Sequence, residues 1–186
     1  INCFFFNLLS LQLIIYIFSK KNILMSKIIT LKSHKCKSIM GKIMVPGDKS
    51  ISHRALIFSA ISIGRSEING LLESDDVIKT LKALRNLGIK IVKTSEKYFV
   101  DGNGGIFTKY PDKLFFGNSG TGARLMIGLL ATKKITVTIT GDKSLSQRPM
   151  LRILSPLTEM GANFSHNDGK LPIKILESSY FKSIKF

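Results

Sequence analysis

The sequence predicts an α/β fold made of two copies of a βαβαββ unit, residues 42–101 and 113–176. Two observations carry that reading. Short apolar runs alternate with amphipathic stretches of helical period, and in each half a glycine (Gly88, Gly161) closes the second helical stretch just before an alternating, hairpin-like pair of runs. Moreover, Ala83-Leu84-Arg85-Asn86-Leu87-Gly88-Ile89 is echoed by Pro156-Leu157-Thr158-Glu159-Met160-Gly161-Ala162. Repeats of this kind bury their helices against those of neighbouring units, so faces meant for absent copies should stay apolar and bare.

In chain order, residues 42–45 read as a strand that Pro46 and Gly47 break. Ser50 is a good N-cap for a helix over 51–63, which Gly64 stops, and a strand follows at 66–71. Ser74 caps a helix over 75–87 with apolar positions Val77, Ile78, Leu81, Leu84 and Leu87, and a hairpin over 89–93 and 97–100 turns around Thr94-Ser95-Glu96. The second unit reads as strand 113–116, helix 119–131, strand 135–140, helix 149–160 with Pro149 at its first position, and a hairpin over 163–165 and 172–175. Residues 25–41 are a lead-in and 177–186 a tail.

Residues 1–24 differ from the rest: Phe4-Phe5-Phe6 and Leu13-Ile14-Ile15-Tyr16-Ile17-Phe18 form an apolar run ending at Lys20-Lys21. It is shorter than the ~20 residues of a spanning helix and is broken by Asn7, Ser10 and Gln12. Neither a basic flank before it nor a small-residue cleavage site after it marks a leader. The expectation is that Met25 is the natural start and that 1–24 lie outside the fold, with no membrane contact.

The 186 residues are 44% hydrophobic and carry a formal charge of +16, enough apolar material for a core and an unusual excess of cations. The lysines are scattered, without a basic run, an aromatic-basic RNA motif or zinc-finger spacing, which argues against nucleic acid as a partner. Cys3 and Cys36 have neither metal nor redox spacing and suit a reducing cytoplasm. His34, His53 and His166 are too dispersed for a metal site and read as solvated or helix-surface residues.

Function points to three glycine-punctuated, basic turns. Pro46-Gly47-Asp48-Lys49-Ser50-Ile51-Ser52-His53-Arg54 sets a lysine, a hydroxyl and an arginine around a helix start, where unpaired N–H groups and the dipole favour anions. Leu114-Phe115-Phe116-Gly117-Asn118-Ser119-Gly120-Thr121-Gly122-Ala123-Arg124 and Thr140-Gly141-Asp142-Lys143-Ser144-Leu145-Ser146-Gln147-Arg148-Pro149 repeat the plan. Arginine grips a phosphate or carboxylate in a fork while lysine acts as a point charge, so small anions are the expected ligands.

From Gly41 to Ile175 these turns resemble the N-terminal half of the 5-enolpyruvylshikimate-3-phosphate synthase (3-phosphoshikimate 1-carboxyvinyltransferase) family. The resemblance implies an inside-out α/β arrangement of six such units, of which two are present. It implies transfer of the enolpyruvyl group of phosphoenolpyruvate to the 5-hydroxyl of shikimate 3-phosphate through a tetrahedral intermediate, with release of phosphate and without metal or cofactor. By resemblance Lys49, Ser50 and Arg54 meet shikimate 3-phosphate, and Lys49 also reaches phosphoenolpyruvate. Gly120, Arg124 and Arg148 meet phosphoenolpyruvate, with Asn118 and Thr121 supporting their turn. Asp75 and Asp76, in a helix first turn, are expected to support the Asn118 turn and not to transfer protons. The family is usually monomeric and cytoplasmic.

The family's catalytic carboxylates, a further lysine and further arginines come from its second domain, and its Ser-Ser-Gln cluster from the third unit. None is located here; Ser178-Ser179 comes too early and is followed by Tyr180. The chain is therefore expected to be a truncated fragment, or a pseudogene product, inactive alone. The alternatives are one half of a split transferase and a basic nucleotide- or nucleic-acid-binding module using the Gly117 turn, although that turn lacks the Gly-Lys-Ser/Thr of a Walker sequence. The sister transferase acting on UDP-N-acetylglucosamine usually has Lys-Asn where Lys49-Ser50 stands, and a loop cysteine that neither Cys3 nor Cys36 matches.

Overall fold

The computed structural model describes residues 32–35, 38, 40–178 and 180–185. It divides at Val45 and Pro46 into two units, and the reading of 1–24 falls outside the described residues. In the first unit the described residues form neither helix nor strand and are exposed. The strand expected at 42–45 is therefore absent: Ile43, Met44 and Val45 are bare, and no ladder takes up their backbone groups.

From Pro46 onward the elements are α1 (Lys49–Ile61), β1 (Ile63–Asn69), α2 (Asp75–Asn86), β2 (Lys90–Thr94), β3 (Lys97–Asn103), β4 (Lys113–Phe115), α3 (Gly120–Ala131), β5 (Val137–Thr140), α4 (Lys143–Ser146), α5 (Leu151–Glu159), β6 (Asn163–Asn167) and β7 (Lys170–Leu176). The first sheet has the order β1-β3-β2 and is antiparallel throughout. The second has the order β4-β5-β7-β6, with β4 parallel to β5 and the other pairs antiparallel. Position for position β1, β3 and β2 answer to β5, β7 and β6. The mixed α/β fold and the internal repeat are as the sequence predicts, save that the first copy lacks its leading strand.

Several boundaries differ. Asp48, not Ser50, is the N-cap of α1: its carboxylate accepts from Ile51 N at 2.7 Å, placing Ser50 inside the first turn. The helix ends at Ile61, and Gly64 lies in β1 at φ +94. A short helix, α4, occupies part of the third turn, so α5 starts at Leu151 and Pro149 precedes it. The cause is the Asp142 carboxylate, which accepts from Leu145 N at 2.7 Å and nucleates a separate helical turn.

One buried core runs through both copies, from Leu56, Val77, Leu84 and Val100 to Phe116, Met126, Ile139 and Ile175. Each fully buried Leu or Ile side chain contributes about 1.5–3 kcal/mol relative to leaving it in water. Helix α2 buries Val77, Thr80, Leu81, Ala83 and Leu84 on one face, in keeping with its apolar period; Ile78 lies at the margin of that face and is half-buried. In α1 the pattern is less clean, because Ile51 and Phe58 are exposed although apolar.

Candidate anion-binding site

In the first turn, α1 begins at Lys49, and the Lys49 ammonium lies 3.1 Å from an Asp76 carboxylate oxygen at the start of α2. Ser50 is half-buried in the same turn and Arg54 is exposed one turn on. Gly47 is required here: a Cβ on it would fall 2.1 Å from Gly70 O, so the turn lies backbone to backbone against the loop after β1.

The second turn leaves β4 through Gly117, at φ +55, and reaches α3 through Ser119, whose buried hydroxyl accepts from Gly122 N at 3.3 Å. Gly120 is the first helical residue, Thr121 the second, and Arg124 follows a turn later. The third turn is tied to the second by backbone and side-chain hydrogen bonds. Asp142 N donates to Gly117 O at 2.8 Å, and Arg148 Nη2 donates to Asn118 Oδ1 at 2.5 Å. Arg124 Nη2 donates to Pro149 O at 3.4 Å from the other side.

Two guanidinium groups thereby converge on a helix start. A Cβ built on Gly120 would stand 3.0 Å from Arg124 Nη1 and 3.1 Å from Arg148 Nη1. Glycine lets both cations approach the α3 backbone, and the first-turn N–H groups add the positive end of the helix to the same place. Such an arrangement can hold a carboxylate or phosphate. Asp75 lies beside this turn, 3.8 Å from the Cβ position of Gly117, and pairs with Lys79 at 3.7 Å. Asp76 faces Lys49 instead, so the two neighbouring carboxylates serve different turns.

The structure thus brings Gly120, Arg124, Arg148 and Asn118 together and links them through α2 to Lys49. Arg54 and Ser50 sit on α1, and Thr121 on α3, with no side-chain partner recorded among the described residues. Two shallow surface depressions, one along α5 beside Arg152 and Glu159 and one over Arg65 and Phe99, lie away from these turns. The candidate site is recognised by converging charge. No group of three or more His, Cys, Asp or Glu residues among the described residues could hold a metal ion, and no described helix is long and apolar enough to cross a membrane.

The sequence reading of His53 needs correction. It is fully buried, not a surface residue, with Nδ1 2.9 Å from Thr80 Oγ1. Burial holds its pKa below the ordinary 6.5, with Asp76 opposing and Lys49 reinforcing that shift. Thr80 and Ser119, buried beside it, also escaped sequence reasoning, for hydroxyls at inward helix positions look like surface residues until three helices are packed together.

Comparisons with known proteins agree with the geometry. The family described as EPSP synthase (3-phosphoshikimate 1-carboxyvinyltransferase) matches residues 33–186. The 3-phosphoshikimate 1-carboxyvinyltransferase of Parvibaculum lavamentivorans is 50% identical over 141 residues, covering 74% of this chain and 31% of the relative. That of Streptococcus uberis is 49% identical over 151 residues, covering 80% and 35%. The solved EPSP synthase of Acinetobacter baumannii superposes with a TM-score of 0.73 at 41% identity, over 78% of this chain and 34% of that one. The chain spans about a third of the length of these relatives. With a family match over residues 33–186 and a fold shared with a solved member, this chain belongs to the EPSP synthase family.

Proposed function

We propose that this chain forms one wall of a cleft for enolpyruvyl transfer from phosphoenolpyruvate to shikimate 3-phosphate. The observation that carries the reading is the convergence of the Arg124 and Arg148 guanidinium groups over Gly120 at the start of α3. In this reading Arg124 and Arg148 clamp phosphoenolpyruvate against the α3 N-terminus. Lys49 reaches the same substrate and balances charge that develops in the tetrahedral intermediate, while Ser50 and Arg54 hold shikimate 3-phosphate. Asn118 keeps Arg148 aimed through their hydrogen bond, Thr121 supports the same turn, and Asp75 and Asp76 steady the Gly117 turn and Lys49. Charge fixed in advance where charge develops is usually the largest catalytic contribution.

Residues 25–41 act as a lead-in, 42–101 and 113–176 as the two units and 177–186 as a tail, in a cytoplasmic biosynthetic protein. Proton transfer falls to groups in the part of the family's length that this chain does not span. The chain alone therefore binds and does not turn over.

Calorimetric titration of the full chain with phosphoenolpyruvate, beside an assay of phosphate release with both substrates, tests this. Binding is expected, with affinity lowered about tenfold or more in Arg124→Ala and in Arg148→Ala, since each loses charge-assisted hydrogen bonds. No turnover is expected. Binding unaffected by either substitution would overturn the site, and clear turnover would overturn the division of labour.

A further inference from the structure

Helices α1 and α2 are joined by two rungs one helical turn apart. The outer rung is the Lys49–Asp76 ion pair, half exposed on the Lys49 side. The inner rung is His53 Nδ1 to Thr80 Oγ1, between two side chains that are both fully buried. His53 lies four residues after Lys49, and Thr80 four after Asp76, so both rungs join the same two faces.

The rungs differ in what they can survive. The outer one is weakened by salt and solvent, and it uses the ammonium that the proposed function assigns to an anionic ligand. When Lys49 turns to that ligand, the outer rung opens. The inner one is neutral, shielded from salt, and locked by a third helix: a Cβ on Gly122 of α3 would fall 2.5 Å from Thr80 Oγ1, 2.7 Å from Ser119 Oγ and 3.2 Å from His53 Cε1. His53 Nε2 is also buried and has no hydrogen-bond partner among the described residues. Burying an imidazole with one nitrogen unmatched is costly, and a leucine would fill an apolar site without that cost. The Nδ1 contact is what the imidazole supplies in return.

We propose that His53 is a positioning residue, whose contact with Thr80 holds the start of α1 in register with α2 and α3 while Lys49 exchanges Asp76 for an anion. It touches no substrate and acts through Lys49, Ser50 and Arg54 on its own helix. The proposal rests on the enolpyruvyl-transfer reading only for the identity of that anion.

The test is amide hydrogen exchange on the full chain, read at Ile51 and Ser52, whose N–H groups are held by Asp48 Oδ1 and Asp48 O. Lys49→Met, which removes the outer rung alone, is expected to leave both amides protected. Thr80→Val, which keeps the side-chain shape, should speed their exchange about three- to tenfold, and combining it with Lys49→Met should speed it further. His53→Asn, whose side chain can replace Nδ1, should keep protection, whereas His53→Gln and His53→Leu should not. Phosphoenolpyruvate affinity, measured by calorimetry on the Thr80 and His53 variants, should fall in the same order, whereas Lys49→Met, which removes a proposed ligand contact, should lose affinity with its amides still protected. Unchanged protection in Thr80→Val would overturn the proposal. So would an Asn variant no better than the Leu variant, or faster exchange spread evenly over α1 and α5. If the amides follow the expected order but phosphoenolpyruvate binds to none of the proteins, the positioning contact stands and the enolpyruvyl-transfer reading falls.

Discussion

His53 couples pH to stability in a direction the structure fixes. Its folded pKa is lowered chiefly by burial, so the unfolded chain binds a proton near 6.5 that the folded chain resists. Below that pH the unfolded state holds more protons and stability falls; above it the group contributes no slope. The melting temperature is therefore expected to drop between about pH 7.5 and 5.5, and to drop less in His53→Asn. Glu67, Glu73 and Asp101 act in a lower window. Hydrogen bonds from Lys97, Lys93 and Arg65 respectively lower their pKa values, so their stabilisation is present at neutral pH and is lost only in more acid solution. Gly122 offers a second residue-scale test. Ala at 122 has to displace Thr80 and Ser119 within a closed three-helix contact, and overpacking of that kind costs about 1–3 kcal/mol in urea unfolding. At Gly120 the nearest atoms are the tips of two arginines, which can swing away.

At the scale of elements, the short helix α4 decides where Arg148 points. It depends on a single cap, the Asp142 carboxylate on Leu145 N, and Asp142 N is also the link to Gly117 O. Asp142→Ala is expected to cost about 1 kcal/mol of stability, the usual effect of losing a cap. By releasing Arg148 it should lower phosphoenolpyruvate affinity several-fold more than an Ala substitution at the exposed Ser144 of the same helix, compared by calorimetry. The amphipathic period of α2, the positive-φ glycines Gly88 and Gly161 and both hairpins were legible, because each is set by local spacing or backbone freedom. The separate helix α4 at Lys143–Ser146, and the start of α5 at Leu151 and not at Pro149, were not. A proline favours a helix start wherever it falls, but Asp142 caps the separate helix α4 upstream and α5 begins only after Met150.

At the scale of the whole molecule, a formal charge of +16 sets self-repulsion against a core shared by both copies. The ion pairs present, such as Arg65–Asp101 and Lys97–Glu67, are exposed, and salt costs them little that they supply. Screening the repulsion is the larger effect, so the melting temperature is expected to rise as sodium chloride increases from about 10 mM to 300 mM. A fall over that range, by calorimetry, would mean the pairs dominate. Ile51 and Phe58 are exposed on α1, and Leu151 on α5.

Taken alone, the sequence determined the α/β repeat, the three basic turns and the family they resemble, because each depends on residue types at short, fixed spacing. It also contained Lys49, Arg124 and Arg148 as separate cations. Only the tertiary structure decided that two of these cations meet over Gly120, that Lys49 is held by Asp76, and that His53 is buried. Those facts depend on side chains 24 or more positions apart meeting across helices. Local spacing carries no information about such contacts until the core has packed.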